Sequence, residues 1–211
     1  MVRFSLFGIP IEIQPWFWIS LILIGALSVS EGATSDGLIV LSLFVLAGFI
    51  SILVHELGHA LVGRSFGAPT AITLQAFGGY AAFPPGSFNR KQNFLMTAAG
   101  PFFQIVLGLI ALAISMFAPL PATLISVFVT FIIWISFFWA ILNLIPVLPL
   151  DGGRLMETVL GPKRIKLTLT ISMIVAIGAA ILMFTRTGSF IFPIFLGMMA
   201  YQNWQALQQH R

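Results

Sequence analysis

Leu38 to Val62 reads LIVLSLFVLAGFISILVHELGHALV, and the rest of the chain is understood from it. Twenty-five residues of this apolarity are long enough to cross a bilayer as a helix, yet His55, Glu56 and His59 interrupt the run near its far end. A charged group at the bilayer centre costs about 2.5–3.5 kcal/mol on insertion scales, so a cluster of ionisable groups there needs a compensating partner. In a helix, residues four apart lie one turn above each other on the same face, so the His55 and His59 imidazoles reach a single zinc ion. The glutamate beside the first then acts as general base on a water at that metal. The plainer reading makes the histidines helix-end residues meeting headgroups, with Glu56 reaching to water. It is weakened because two of the three histidines in the chain fall in this one turn.

Composition supports a membrane setting. The chain has 211 residues, 59% of them hydrophobic and 8% charged, with a mean hydropathy of +1.05. A water-soluble globule of that composition is excluded. Length and polarity predict one domain, residues 1–211. The net charge of +4 comes from basic residues in loops between apolar runs, with no patch interleaved with aromatics, so nucleic acid is not an expected partner. Zero cysteines exclude thiolate ligation and leave His and carboxylate as zinc donors.

Outward from the opening stretch, the sequence predicts a polytopic α-helical protein with six transmembrane helices and a short membrane-associated β-hairpin or sheet. Residues 1–15 alternate in strand fashion around a turn at Phe7-Gly8, with Pro10 and Pro15 against a helix. Trp16 and Trp18 mark an interface before a first span over Phe17 to Ser28. A cleaved leader with small residues at Ser28-Val29-Ser30 is the alternative; the long, proline-bearing segment before the apolar core favours a retained helix. A loop over Glu31 to Gly37 precedes the second span.

Between Arg64 and Asn93 no spanning helix is expected. Ile72 to Phe77 and Tyr80 to Phe83 read as two strands about a Gly78-Gly79 turn. Such backbone is tolerated at membrane depth only where protein buries it or water lines it, so a hairpin beside the metal and a surface loop both remain open. The third span, Phe94 to Phe117, carries Gly100, Gln104 and Gly108 on one stripe. After a turn at Pro119 to Pro121 the fourth runs from Ala122 to Ile145 and includes Asn143. Two prolines and two glycines in Pro146 to Gly153 then break the helix and present Asp151 on a rigid turn. An Asp-Gly pair is by itself usually only a turn. Leu167 to Phe184 and Phe190 to Trp204 complete the six, and His210 lies in a short polar tail.

Six spans put the N-terminus, the 64–93 and 146–166 loops and the C-terminus on one side. That side carries nine basic residues, from Arg3 to Arg211, whereas the other has Arg186. The positive-inside rule assigns it, with both termini, to the cytoplasm. Spans two and four run the same way, so the His55/His59 turn and the Asp151 turn lie at similar depth. If those spans are neighbours, Asp151 becomes the third protein ligand of an open, catalytic zinc coordination.

With His55-Glu56-Leu57-Gly58-His59, the segment from Asn143 through Leu150-Asp151-Gly152-Gly153 and the hairpin around Gly78-Gly79, the chain resembles the site-2 proteases, intramembrane zinc metalloproteases. The resemblance implies one zinc held by His55, His59 and Asp151, Glu56 activating water, and Asn143 positioning substrate or the developing oxyanion. It also implies cleavage of a transmembrane segment of a single-span membrane-protein substrate in the cell membrane, near the cytosolic side, with the hairpin pairing to unwound substrate. On the third span the family often has Asn, Ser or Gly where this chain has Gln104, which is expected to share the positioning role. Many relatives carry a PDZ or CBS domain; none is expected here, so control of substrate entry falls to a membrane partner, the helices themselves or prior trimming. Two other readings stand beside this one, a zinc transporter or channel and an inactive helix-binding pseudoprotease.

Overall fold

The computed structural model describes residues 1–28, 34–118 and 123–209. The expected loop about Glu31, the Pro119–Pro121 turn and His210 lie outside them. Two compact units make up the chain, Met1–Ala140 and Ile141–Arg211.

The first unit opens with β1 (Val2–Leu6) and β2 (Ile9–Ile13), an antiparallel pair joined by Phe7-Gly8. Both turn residues have positive φ, +52° and +73°, the two-residue geometry whose twist matches the strands it joins. β3 (Ala71–Gln75) and β4 (Gly78–Ala82) form a second hairpin. The two hairpins merge into one sheet of order β1-β2-β3-β4 through parallel pairing of β2 with β3. That pairing begins at Ile11↔Ile72, so Pro10, which has no N–H to give, lies just outside the ladder. Ile9, Ile11, Ile13, Ile72 and Leu74 are buried.

The expected turn at Gly78-Gly79 is corrected. Ala76 and Phe77 make the turn, and both glycines are in β4, Gln75 pairing with Gly78 and Leu74 with Gly79. Gly79 is there for room. A Cβ on it would stand 2.8 Å from Leu74 Cδ2 and 2.9 Å from Glu56 Cγ.

α1 (Pro15–Ser28) starts on the sheet: Gln14 N–H donates to Leu74 O, and Phe77 N–H donates to Ser20 Oγ. α2 (Ser35–Ser65) is capped by the Thr34 side chain, with Asp36 in its first turn and Arg64 in its last, charges that each complement the helix dipole. Its 31 residues extend about 46 Å, more than the hydrocarbon thickness of a bilayer. Arg64 donates to Phe7 O, tying the end of α2 to the first hairpin turn. α3 (Arg90–Phe117) begins with a reciprocal Asn89/Gln92 capping box. α4 (Leu124–Leu144) belongs to this unit as far as Ala140, and its last turn, from Ile141, to the second. Ala47, Ala111, Ile132 and Ile135 form a core among α2, α3 and α4.

In the second unit the expected 146–166 loop contains a helix, α5 (Asp151–Leu160), followed by a 3-10 turn, Pro162–Arg164. Glycines were read as helix breakers there. In the structure they are helix residues chosen for contact: a Cβ on Gly152 would fall 2.2 Å from Leu144 O, and one on Gly153 2.4 Å from Leu148 N. α6 (Ile165–Thr187) and α7 (Ile191–Gln209) pack around Val147, Ala176, Leu196, Met199 and Ala200.

Among the described residues four helices are long and apolar enough to cross a membrane: α2, α3, α4 and the run Pro162–Arg186, which takes in most of α6. α1 is shorter, with 14 residues, and α7 carries Gln202, Asn203, Gln205, Gln208 and Gln209 in its second half. Large apolar side chains such as Phe102, Trp134, Ile141 and Ile174 stand exposed on the helices, as lipid-facing residues do. The chain is a multi-pass membrane protein.

Candidate functional site

α2 delivers three ionisable side chains to the interior of the first unit. His55, Glu56 and His59 are 4%, 4% and 7% exposed, and the two imidazoles stand edge to face with centroids 4.8 Å apart. Their Nε2 atoms are 3.1 Å from each other.

The protons on those rings can be assigned from what lies behind them. His59 Nδ1 is 2.8 Å from Met96 O. A carbonyl only accepts, so Nδ1 carries the hydrogen and, in the neutral ring, Nε2 the lone pair. His55 Nδ1 is 3.0 Å from Gln104 Oε1. The orientation of that amide follows from its other end, where Nε2 lies 2.9 Å from Ser51 Oγ and 3.4 Å from Ser51 O. Because Ser51 O cannot donate, the NH2 group must face it, and Oε1 must face His55. His55 is thus also protonated on Nδ1.

In the neutral rings two lone pairs then face each other across 3.1 Å. A cation shared between them satisfies both. Nitrogens each about 2.0–2.1 Å from a tetrahedral zinc stand roughly 3.3 Å apart, so the pair fits zinc. Ring N–H groups held by a carbonyl and a carboxamide are the outer support that metal-ligating histidines ordinarily have.

α3 is shaped around these rings. A Cβ on Gly100 would meet His59 Nε2 at 2.2 Å, and one on Gly58 would meet Ala99 O at 2.6 Å. The helices therefore approach backbone to backbone at the histidines. Met96, Gly100 and Gln104, four residues apart on α3, each serve an imidazole: an acceptor for His59, clearance for His59, an acceptor for His55. Sequence reading placed Gly100 and Gln104 on one stripe but could not see that the stripe met the histidines, and it missed Met96, whose contribution is a backbone oxygen.

Glu56 is one residue on from His55, turned about 100° from the face that carries the imidazoles. Its side chain lies against β4 at Gly79, where an added Cβ would be 3.1 Å from Glu56 Oε1. Among the described residues the sheet order ends at β4, so this carboxylate packs on an edge strand.

In the second unit, Asp151 opens α5 and is 9% exposed, its charge complementing the positive end of the helix. The turn before it is held from both sides. Leu148 N–H donates to Ser172 Oγ on α6, and Leu148 O accepts from Asn203 Nδ2 on α7. Ser172 and Asn203 are both buried, and sequence reading singled out neither. Asn143 is half-buried near the end of α4.

A sequence model described as Peptidase family M50 matches residues 43–125 and 118–185. A putative zinc metalloprotease of Synechocystis sp. is 34% identical over 166 residues, 74% of this chain and 42% of that protein. A zinc metalloprotease of Methanocaldococcus jannaschii is 29% identical over 161 residues, 76% of this chain and 45% of that one. The chain thus spans less than half the length of these curated relatives. Among solved structures, the site-2 protease from Methanocaldococcus jannaschii superposes with a TM-score of 0.65 at 25% identity, covering 96% of this chain and 94% of that one.

Proposed function

Because the chain belongs to peptidase family M50, we propose that it is a zinc metalloendopeptidase that cuts a transmembrane segment of another membrane protein near the cytosolic side. The observation that carries the reading is the pair of His55 and His59 Nε2 atoms turned on one another at 3.1 Å, two buried nitrogen donors at about the spacing that a tetrahedral zinc takes. We read residues 1–211 as one metalloprotease domain; the family match draws on both units.

The zinc is proposed to be held by His55, His59 and Asp151. Among the described residues Glu56 and Asp151 are the buried carboxylates, and Glu56 is turned off the imidazole face, which leaves Asp151 for the metal. When bound, the ion supplies Lewis acidity, polarising the scissile carbonyl and acidifying water. Glu56 takes the proton of the attacking water and returns it to the leaving amide nitrogen, so the carboxylate is regenerated. Asn143 donates its amide N–H to the carbonyl oxygen as negative charge develops.

A substrate helix hides its amides in its own hydrogen bonds. The free edge of β4 gives an unwound stretch replacement partners, as in strand addition to a sheet edge, and Gly79 sets that edge beside Glu56. The substrate is a single-span membrane protein, and its entry is controlled by a membrane partner, by the helices themselves or by prior trimming. With six spans, the distribution of basic residues puts both termini in the cytoplasm.

The test is co-expression of the full chain with candidate single-span proteins tagged at both ends. Glu56→Gln is expected to keep bound zinc and to lose at least about 100-fold in truncated product, and the wild-type cut is expected near the cytosolic end. A Glu56→Gln variant that cleaves as wild type does would remove the general base, and a cut at the opposite end would overturn the orientation.

A further inference from the structure

Gln104 has 0% exposure within a membrane helix, where a carboxamide without partners is heavily penalised. Its partners form a chain through three helices. His55 Nδ1–H on α2 donates to Gln104 Oε1 on α3 at 3.0 Å, and Gln104 Nε2 donates to Ser51 Oγ on α2 at 2.9 Å. Ser51 Oγ also bonds Ser136 Oγ on α4, 3.0 Å away, a bond that either hydroxyl can donate. Ser51 and Ser136 are themselves wholly buried. The two bonds from His55 to Gln104 and from Gln104 to Ser51 run in one direction and polarise one another.

We propose that Gln104 is a positioning residue for the metal, fixing His55 as the Nδ1–H tautomer with Nε2 turned to the ion, and that Ser51 and Ser136 act on the metal only by locking the Gln104 amide. This deepens the metalloprotease reading and rests on it. Gln104 would then touch neither substrate nor oxyanion. A shorter amide would lack one methylene of the reach, and a flipped amide would set Oε1 against Ser51 O; Ser51 is what prevents the flip.

The experiment is competition of zinc between a chromophoric chelator and the detergent-solubilised full chain, with Co2+ absorption reporting the ligand field. Gln104→Met, similar in length and without an acceptor, is expected to weaken zinc binding by about 10–100-fold. Gln104→Glu, which keeps the acceptor oxygen, is expected to restore affinity to within about threefold of wild type and to keep the Co2+ spectrum. Ser51→Ala is expected to weaken binding several-fold in the wild-type background and to have no effect in Gln104→Met. That cycle separates a positioning chain from general packing, because a structural defect would appear in both backgrounds. Wild-type affinity in Gln104→Met, or an equal Ser51→Ala effect in both backgrounds, would overturn the proposal. Failure of the wild-type chain itself to bind zinc would instead overturn the metal-site reading beneath it.

Discussion

His59 is packed against a backbone that leaves no space for a methyl group. A Cβ at Gly100 would lie 2.2 Å from His59 Nε2, and the intruding methyl would be fixed in place by the α3 backbone, so the ring would have to move. Gly100→Ala is therefore expected to lower zinc affinity by at least about tenfold, a 1.4 kcal/mol effect or more, as measured by chelator competition. Unchanged affinity would mean that the ring does not face the metal as described. At this scale the two histidines and the glutamate were legible because their spacing is a property of one helix. The duties of Gly100, Met96 and Gln104 were not, since periodicity tells which residues share a stripe and says nothing of what the stripe meets. Gln104 was expected beside substrate; its two amide atoms are engaged with His55 and Ser51.

Elements were read well where one rule governs and poorly where glycine has two uses. The Phe7-Gly8 hairpin and the long helices followed from alternation and apolar length. Gly78-Gly79 and Gly152-Gly153 were read as turn and break, yet these glycines serve close approach, in β4 and in the first turn of α5. The union of two hairpins by β2–β3 pairing joins segments about sixty residues apart, which no local pattern reports. The turn leading to α5 depends on a similarly remote pair. Asn203→Leu removes the donor to Leu148 O and leaves a half-buried carbonyl short of a partner, a loss of about 1 kcal/mol. A lower midpoint of thermal unfolding in detergent is expected for the full chain; an unchanged midpoint would show that the Asn203 bond does not hold that turn.

For the molecule as a whole, composition settled the membrane setting and the short motifs pointed to the family before any coordinates. The count of spans was less accessible, because α1 is short and α7 turns polar half way along, so apolar length alone does not decide them. What the whole chain is built to do rests on a cation between two imidazoles. X-ray absorption at the zinc edge of the purified full-length protein addresses that directly. One zinc per chain is expected, with two imidazole nitrogens at about 2.0–2.1 Å and the remaining donors oxygen. A zinc-free protein, or a spectrum without imidazole scattering, would contradict the account.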